Sequence, residues 1–151
     1  MADRIFRPYT ARDKESCLAI FDSNVPKYFA AHERAGYANF LDAQPGPYFV
    51  VEEDDAVIAC GGSAPHKTEI GAVLFCWGMV AKEKLRSGVG HFLLSENLKR
   101  LKKSEPVLLN TSQHAREFYE KHGFRTSRIV RDGYDAGIDL YEMRLAPRSG
   151  R

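Results

Sequence analysis

The spacing of apolar residues changes period several times along the chain, and each change marks an expected element. Residues 5–8 form a short β-rich run. Cys17, Leu18, Ile20 and Phe21 then recur at helical spacing, which predicts a helix over residues 11–22 with Thr10 as its N-cap and Asp13 three positions on. A second helical stretch is expected from Pro26, a good first-turn residue, to Asp42, with a break near Ala31-His32. The cluster Ala43-Gln44-Pro45-Gly46-Pro47 ends it, and the period shortens to that of strands. Residues 48–52 and 57–63 flank Glu53-Asp54-Asp55 as a hairpin, and residues 69–81 follow a loop as a third long strand. Val89, Phe92, Leu93, Leu94, Leu98 and Leu101 mark a helix over residues 88–102. Residues 106–110 are a short buried strand, and residues 115–121 a short helix stopped by Gly123. Two strands, 125–131 and 138–145, close the chain around a turn at 132–137.

The order is βααβββαβαββ. One strand–helix–strand unit sits among antiparallel segments, and its crossover is expected to be right-handed with parallel strands. The fold class is therefore α/β, with a mixed sheet and helices on its faces. The 151 residues suit one domain, with 146–151 read as an unstructured tail.

Composition narrows the function classes. Lys plus Arg is 22 and Asp plus Glu is 20, so the formal net charge is +2, and no broad basic face for nucleic acid is expected. Cys17, Cys60 and Cys76 are an odd, widely spaced set, which fits neither a disulfide framework nor a zinc site. The charged start, Asp3-Arg4, lacks the apolar run of a signal peptide. The longest nearly apolar stretch, residues 71–81, is about half of what a membrane-spanning helix needs. A soluble cytoplasmic protein without metal or membrane partner is expected.

The richest stretch runs from Val80 to His91. A strand ends, a basic turn carrying Lys82, Lys84 and Arg86 follows, and Gly88 and Gly90 open a helix. Glycine allows close backbone approach, and the free N–H groups of a first helical turn favour an anion such as a pyrophosphate. The pattern G-x-x-x-x-G-K-[ST] is absent, and Leu93 stands where a dinucleotide fingerprint needs its third glycine. A second signature, Asn110 to Phe124, follows the next strand.

Together the two segments resemble the GNAT superfamily of acetyl-CoA-dependent N-acetyltransferases. Its first signature is V-x-P-x-x-[QR]-x-x-G-x-[GA], and Val80, Gly88 and Gly90 match in register. Its second is N-x-x-A-x-x-x-Y-x-x-x-G-F, matched by Ala115, Tyr119, Gly123 and Phe124. Lys82 replaces the usual Pro, Leu85 the usual Gln or Arg (with Arg86 one place later), and Ser112 the usual Asn.

The resemblance implies a mostly antiparallel sheet whose central parallel pair splays apart to admit acetyl-CoA. It assigns cofactor contacts to Met79, Val80, Arg86, Ser87, Gly88, Val89, Gly90, His91, Ser112 and Tyr119. An N–H near Val80 would stabilise the oxyanion, Gly78 would carry the bulge that opens the splay, and Tyr119 would be the general acid. The acceptor would be a primary amine of a small molecule, amino acid or peptide, attacking the thioester directly. Leu74 stands where some members carry a strand-four Glu, leaving Glu69, His66, Asp139 or a water chain as alternatives for the base. Tyr28, Phe29, His32, Tyr37 and Tyr134 are candidate acceptor-lining residues, and His114 is expected at the surface. A non-catalytic acyl-CoA sensor of the same fold is the alternative reading, and a homodimer is compatible with either.

Overall fold

The computed structural model describes residues 3–148. Among them, seven strands form one sheet in the order β1-β2-β3-β4-β5-β7-β6. The strands are β1 (Arg4–Pro8), β2 (Tyr48–Glu53), β3 (Ala56–Pro65), β4 (Val73–Val80), β5 (Val107–Thr111), β6 (Arg125–Asp135) and β7 (Ile138–Leu145). The helices are α1 (Lys14–Ser23), α2 (Arg34–Ala43), α3 (Val89–Lys99) and α4 (Arg116–Lys121). Every neighbouring pair is antiparallel except β4 and β5, which α3 connects as a crossover. The expected mixed sheet is therefore present, with its parallel pair at the centre.

Strand alternation divides the core between the two faces of the sheet. Val50 and Cys60 face one side, where Cys17, Ile20 and Phe21 of α1 and Tyr37 and Leu41 of α2 pack. Val51, Ile58 and Ala59 face the other, against Val89 and Leu93 of α3. Farther along that side, Phe75, Val107, Leu109 and Met143 pack with Leu94, Tyr119 and Phe124. The helices thus cover both faces, as expected.

The structure redraws four boundaries. Residues 24–30 are turns, held by Tyr28 N–H to Asn24 O at 2.9 Å, so the helical stretch expected from Pro26 begins only with a 3-10 turn at Ala31. The apolar spacing there reflects Phe29 packing on Phe21 and Trp77. β4 starts at Val73, not Glu69, because the Glu69 side chain pairs with Arg144 and Gly71 turns the chain at φ +86°. β6 continues to Asp135 through an irregularity, since the Asp132 carboxylate accepts from Gly137 N–H at 2.8 Å and folds the expected turn into the ladder. Thr10 does not cap with its own oxygen; the Asp13 carboxylate accepts from Thr10 N–H at 2.9 Å. Of the expected tail, residues 149–151 lie outside the described residues, while Arg148 N–H donates to Lys103 O at 2.7 Å.

Asp13 also ties α1 to the sheet edge. It is 6% exposed and accepts both Nη groups of Arg7 at 2.8 Å, while Arg7 Nε donates to Glu52. The Arg7 hydrogen bonds hold the Asp13 carboxyl below the usual carboxylate range. A folded-state pKa below the unfolded one contributes stability that is fully present above the unfolded value and is lost as pH falls through the folded one. Asp13→Asn should therefore be less stable than wild type at pH 7, with the gap closing on acidification below the ordinary Asp range; urea unfolding across pH 7 to 3 measures it.

Candidate active site

The site begins where pairing stops. β4 and β5 pair only at Val73↔Val107 and Leu74↔Leu108, after which the two strands run on without ladder contacts. On the other side of β4, Gly62 pairs with Cys76 and Cys60 with Met79, so two β4 residues, Trp77 and Gly78, face one β3 residue. That is a bulge, which bends a strand and ends regular pairing. Gly78 lies in that bulge, as expected, and its neighbour Trp77 takes the left-handed backbone, at φ +49°. Gly78 is fixed by space instead: a Cβ there would sit 2.4 Å from Phe75 Cε2 and 3.4 Å from the Tyr119 hydroxyl.

Beyond the bulge the β4 backbone faces the gap. Ala81 N–H donates to Ile58 O at 2.8 Å, and peptide directions alternate along a strand. The Val80 N–H is therefore aimed away from β3, into the splay. The Val80 carbonyl accepts from Asn24 Nδ2 at 2.9 Å. Met79 is buried in the α1–α2 core, and the same alternation turns its N–H and C=O toward β3.

The turn into α3 carries a run of unpaired amides. Lys82 N–H goes to Ser23 Oγ, Lys84 N–H to Ala81 O and Leu85 N–H to Lys82 O. The first helical bond is Phe92 N–H to Gly88 O at 3.1 Å. Between them, the amides of Arg86, Ser87, Gly88, Val89, Gly90 and His91 have no backbone partner among the described residues. Arg86 and Gly88 are left-handed, at φ +65° and +86°, which turns successive N–H groups toward one point. Such a concavity at a helix N-terminus suits a pyrophosphate.

The two glycines act differently. Gly88 supplies φ; a Cβ there would meet only Arg4 Nη1, at 3.6 Å. Gly90 supplies closeness, since its Cβ would lie 3.2 Å from the Phe118 ring of α4. His91 pairs with His122 at 2.8 Å, and His122 Nδ1 donates to Phe118 O at 2.8 Å. A neutral His122 then accepts from His91 Nδ1–H, and the outer nitrogen of His91 has no partner among the described residues.

Tyr119 is buried in the α3–α4 core, yet its hydroxyl has no hydrogen-bond partner among the described residues. Burial raises its pKa above the ordinary phenol value, so it holds its proton. Ser112 is buried, and its Oγ accepts from His114 N–H at 3.3 Å within its own turn. The Ser87 hydroxyl likewise donates to Lys84 O.

The remaining candidate side chains divide between local contacts and the mouth of the splay. Glu69 forms a two-pronged pair with Arg144 at 2.8 Å, His66 Nδ1 accepts from Glu69 N–H at 3.0 Å, and Asp139 accepts from Asp132 N–H at 2.9 Å. All three potential bases thus already have hydrogen-bond partners. Tyr37 is fully buried and lines no cleft. Tyr28 meets exposed His114 edge-on, Phe29 stacks on Trp77, and His32 Nε2 hydrogen-bonds Tyr134 O at 2.7 Å. The segment before α2 and the last hairpin therefore meet over the β4 end of the splay.

Sequence reasoning missed the braces. Arg4 donates to Ser87 O at 2.7 Å, while Glu53 holds both Arg4 and Lys84, at 3.1 and 2.8 Å. Ser23 and Asn24 at the end of α1 hold Lys82 and Val80. No local pattern marks these residues, because their partners are distant in sequence.

The model of the acetyltransferase (GNAT) domain matches residues 18–147. The chain belongs to the GNAT acetyltransferases. Solved structures share its fold. A GNAT-family protein of Desulfovibrio desulfuricans is 22% identical with a TM-score of 0.78, over 95% of this chain and 99% of that one. The ribosomal-protein-S18-alanine N-acetyltransferase of Escherichia coli is 16% identical with a TM-score of 0.79, over 99% and 97%. A Salmonella typhimurium protein solved with its cofactor acetyl-CoA is 15% identical with a TM-score of 0.74, over 99% and 96%. No curated protein matches the chain. Among the described residues no helix is long and apolar enough to cross a membrane, and no group of three or more His, Cys, Asp or Glu could hold a metal ion.

In this GNAT chain Gly88→Ala forces a Cβ into the left-handed region and should cost about 1–2 kcal/mol. Denaturant unfolding would record the loss, and a Gly88→Asn variant, better suited to that backbone, should recover part of it.

Proposed function

We propose that the chain is one acetyltransferase domain that transfers an acetyl group from acetyl-CoA to a primary amine by direct attack. The unpartnered Tyr119 hydroxyl beside Gly78, in the gap where β4–β5 pairing stops, carries this reading. The run of free amides at residues 86–91 supports it, because it offers several donors to a pyrophosphate. A pantetheine arm carries amides that suit the unpaired strand edges, by the logic of strand addition.

In this reading Arg86, Ser87, Gly88, Val89, Gly90 and His91 hold the phosphates through backbone N–H groups. Val80 N–H takes the developing negative charge of the carbonyl oxygen, worth about 2.7–4 kcal/mol for one such donor. The amine nitrogen bonds to the carbonyl carbon and the carbon–sulfur bond breaks. Tyr119 gives its proton to the departing sulfur. The same dry groove raises the proton affinity of that thiolate, so phenol and thiolate are shifted in the same sense. The ammonium sheds one proton to water before attack, and the second proton on the attacking nitrogen passes through water to the Tyr119 phenolate, which restores the phenol.

Cys76 does not compete as a nucleophile. Burial pushes its thiol up to about 11, and it donates to Leu74 O at 3.3 Å. That favours direct attack over an acyl-enzyme. The acceptor amine would enter between the segment before α2 and the β6–β7 hairpin, past Phe29, Trp77 and Tyr134. We place the reaction in the cytoplasm, where Cys17, Cys60 and Cys76, all free and buried, stay reduced.

Thermal melts with acetyl-CoA, CoA, ATP and NAD in parallel test the reading. A ligand at 100 times its Kd adds about 2.7 kcal/mol, several degrees for a chain of this size. Acetyl-CoA and CoA should shift the melt while ATP and NAD do not. Tyr119→Phe should keep that shift and lose about 10²-fold in turnover with an accepted amine. Equal turnover in the variant would remove Tyr119 as the acid, and no shift with either CoA compound would remove the function.

A further inference from the structure

The bulge in β4 is held from the opposite face of the sheet by a buried chain of hydroxyl and thiol groups. Trp77 O accepts from the Tyr48 hydroxyl at 2.7 Å. A carbonyl can only accept, so the single Tyr48 proton is committed to it. The Tyr37 hydroxyl lies 2.8 Å from the Tyr48 oxygen and must therefore donate to it. Cys60 Sγ lies 3.2 Å from the Tyr37 oxygen, whose own proton is spent, so the thiol donates in turn. Counting donors leaves one direction throughout: Cys60 to Tyr37 to Tyr48 to the Trp77 carbonyl. Cys60 and Tyr37 are fully buried and Tyr48 is 5% exposed, so water does not compete for these bonds.

The last bond has a geometric consequence. A bulky residue at φ +49° is sparsely populated and needs outside support. A trans peptide points its C=O and the following N–H in opposite directions. Fixing Trp77 O on Tyr48 therefore fixes Gly78 N–H pointing away from Tyr48, and with it the path of Gly78, Met79 and Val80 along the splay.

We infer that Cys60, Tyr37 and Tyr48 are positioning residues for the acyl-CoA groove, a one-way hydrogen-bond relay that sets the Trp77–Gly78 peptide and so the strand edge that receives the ligand. The inference rests on the acetyl-CoA reading given above. None of the three side chains is placed in contact with the ligand; they act through the Trp77 carbonyl.

Trp77 is the single tryptophan of the chain, so its emission reports on the bulge itself. The test compares wild type, Tyr48→Phe, Tyr37→Phe and Leu41→Ala, the last a buried residue of the same core without a place in the relay. Each is measured for CoA affinity by calorimetry, for thermal stability, and for ligand-free Trp77 emission and acrylamide quenching. Tyr48→Phe should weaken CoA about tenfold and alter Trp77 emission and quenching before any ligand is added. Tyr37→Phe should do the same to a smaller extent, and decides the matter if Tyr48→Phe does not fold. Leu41→Ala should melt earlier yet keep CoA affinity and Trp77 quenching near wild type. Unchanged CoA affinity in both tyrosine variants would overturn the inference, as would an equal affinity loss in Leu41→Ala. Failure of wild type to bind CoA would overturn the functional reading and the groove's role with it; the ligand-free Trp77 signal would then still decide whether the relay holds the bulge.

Discussion

Two residues of β4 stand opposite one of β3, and that mismatch organises the molecule. Parallel strands at the centre of a sheet ordinarily pair along their whole shared length, because a buried unpaired amide costs free energy comparable to a lost hydrogen bond. Here the ladder between β4 and β5 ends after two residue pairs. The backbone groups beyond that point are left facing a gap whose floor is the Tyr119 core. Gly78 makes the arrangement sterically tolerable, and the tyrosine relay behind the sheet satisfies the carbonyl that the bulge turns inward.

A site assembled from backbone explains why departures from the family signatures leave its geometry intact. Lys82 and Leu85 replace residues of the first signature, yet their amides are occupied, by Ser23 Oγ of α1 and by Lys82 O, and the unpaired run begins only at Arg86. What the turn requires is a left-handed Gly88 and a Gly90 that admits Phe118, and both glycines are present. Ser112 in place of Asn organises the turn into α4 by accepting from His114 N–H. The three carboxylate and imidazole groups weighed as bases are already hydrogen-bonded, so the proposed reaction rests on amides and one phenol.

Much of this was legible in the sequence, and what was not has a common physical reason. The glycine turn, the short α4 and its Gly123 stop, and the hairpin between β2 and β3 all arise from local rules. Asp54 and Asp55 supply that hairpin with two left-handed residues, at φ +53° and +62°. Residues 24–30 misled because aromatic packing on Phe21 and Trp77 imitates helical spacing. Tyr37 misled in the other direction: an aromatic assigned to a cleft is fully buried, its hydroxyl consumed between Cys60 and Tyr48. The braces from Arg4, Ser23 and Asn24 leave no local trace, since each joins segments that meet only in the folded sheet.

The Arg4 brace also bears on when the site comes into being. Its bond to Ser87 joins positions 83 apart in the chain, from an edge strand to the centre of the molecule. β5, which forms the far wall of the gap, is flanked in turn by the last strand, β7. Both β1 and β7 must dock before this turn and its opposite wall are set, so the site depends on contacts distant in sequence, the kind that form slowly. The converse holds in the native state. β1 is an edge strand, and its release would take the Arg4 bond from Ser87 O, so the rim of the sheet and the turn at its middle are mechanically one piece.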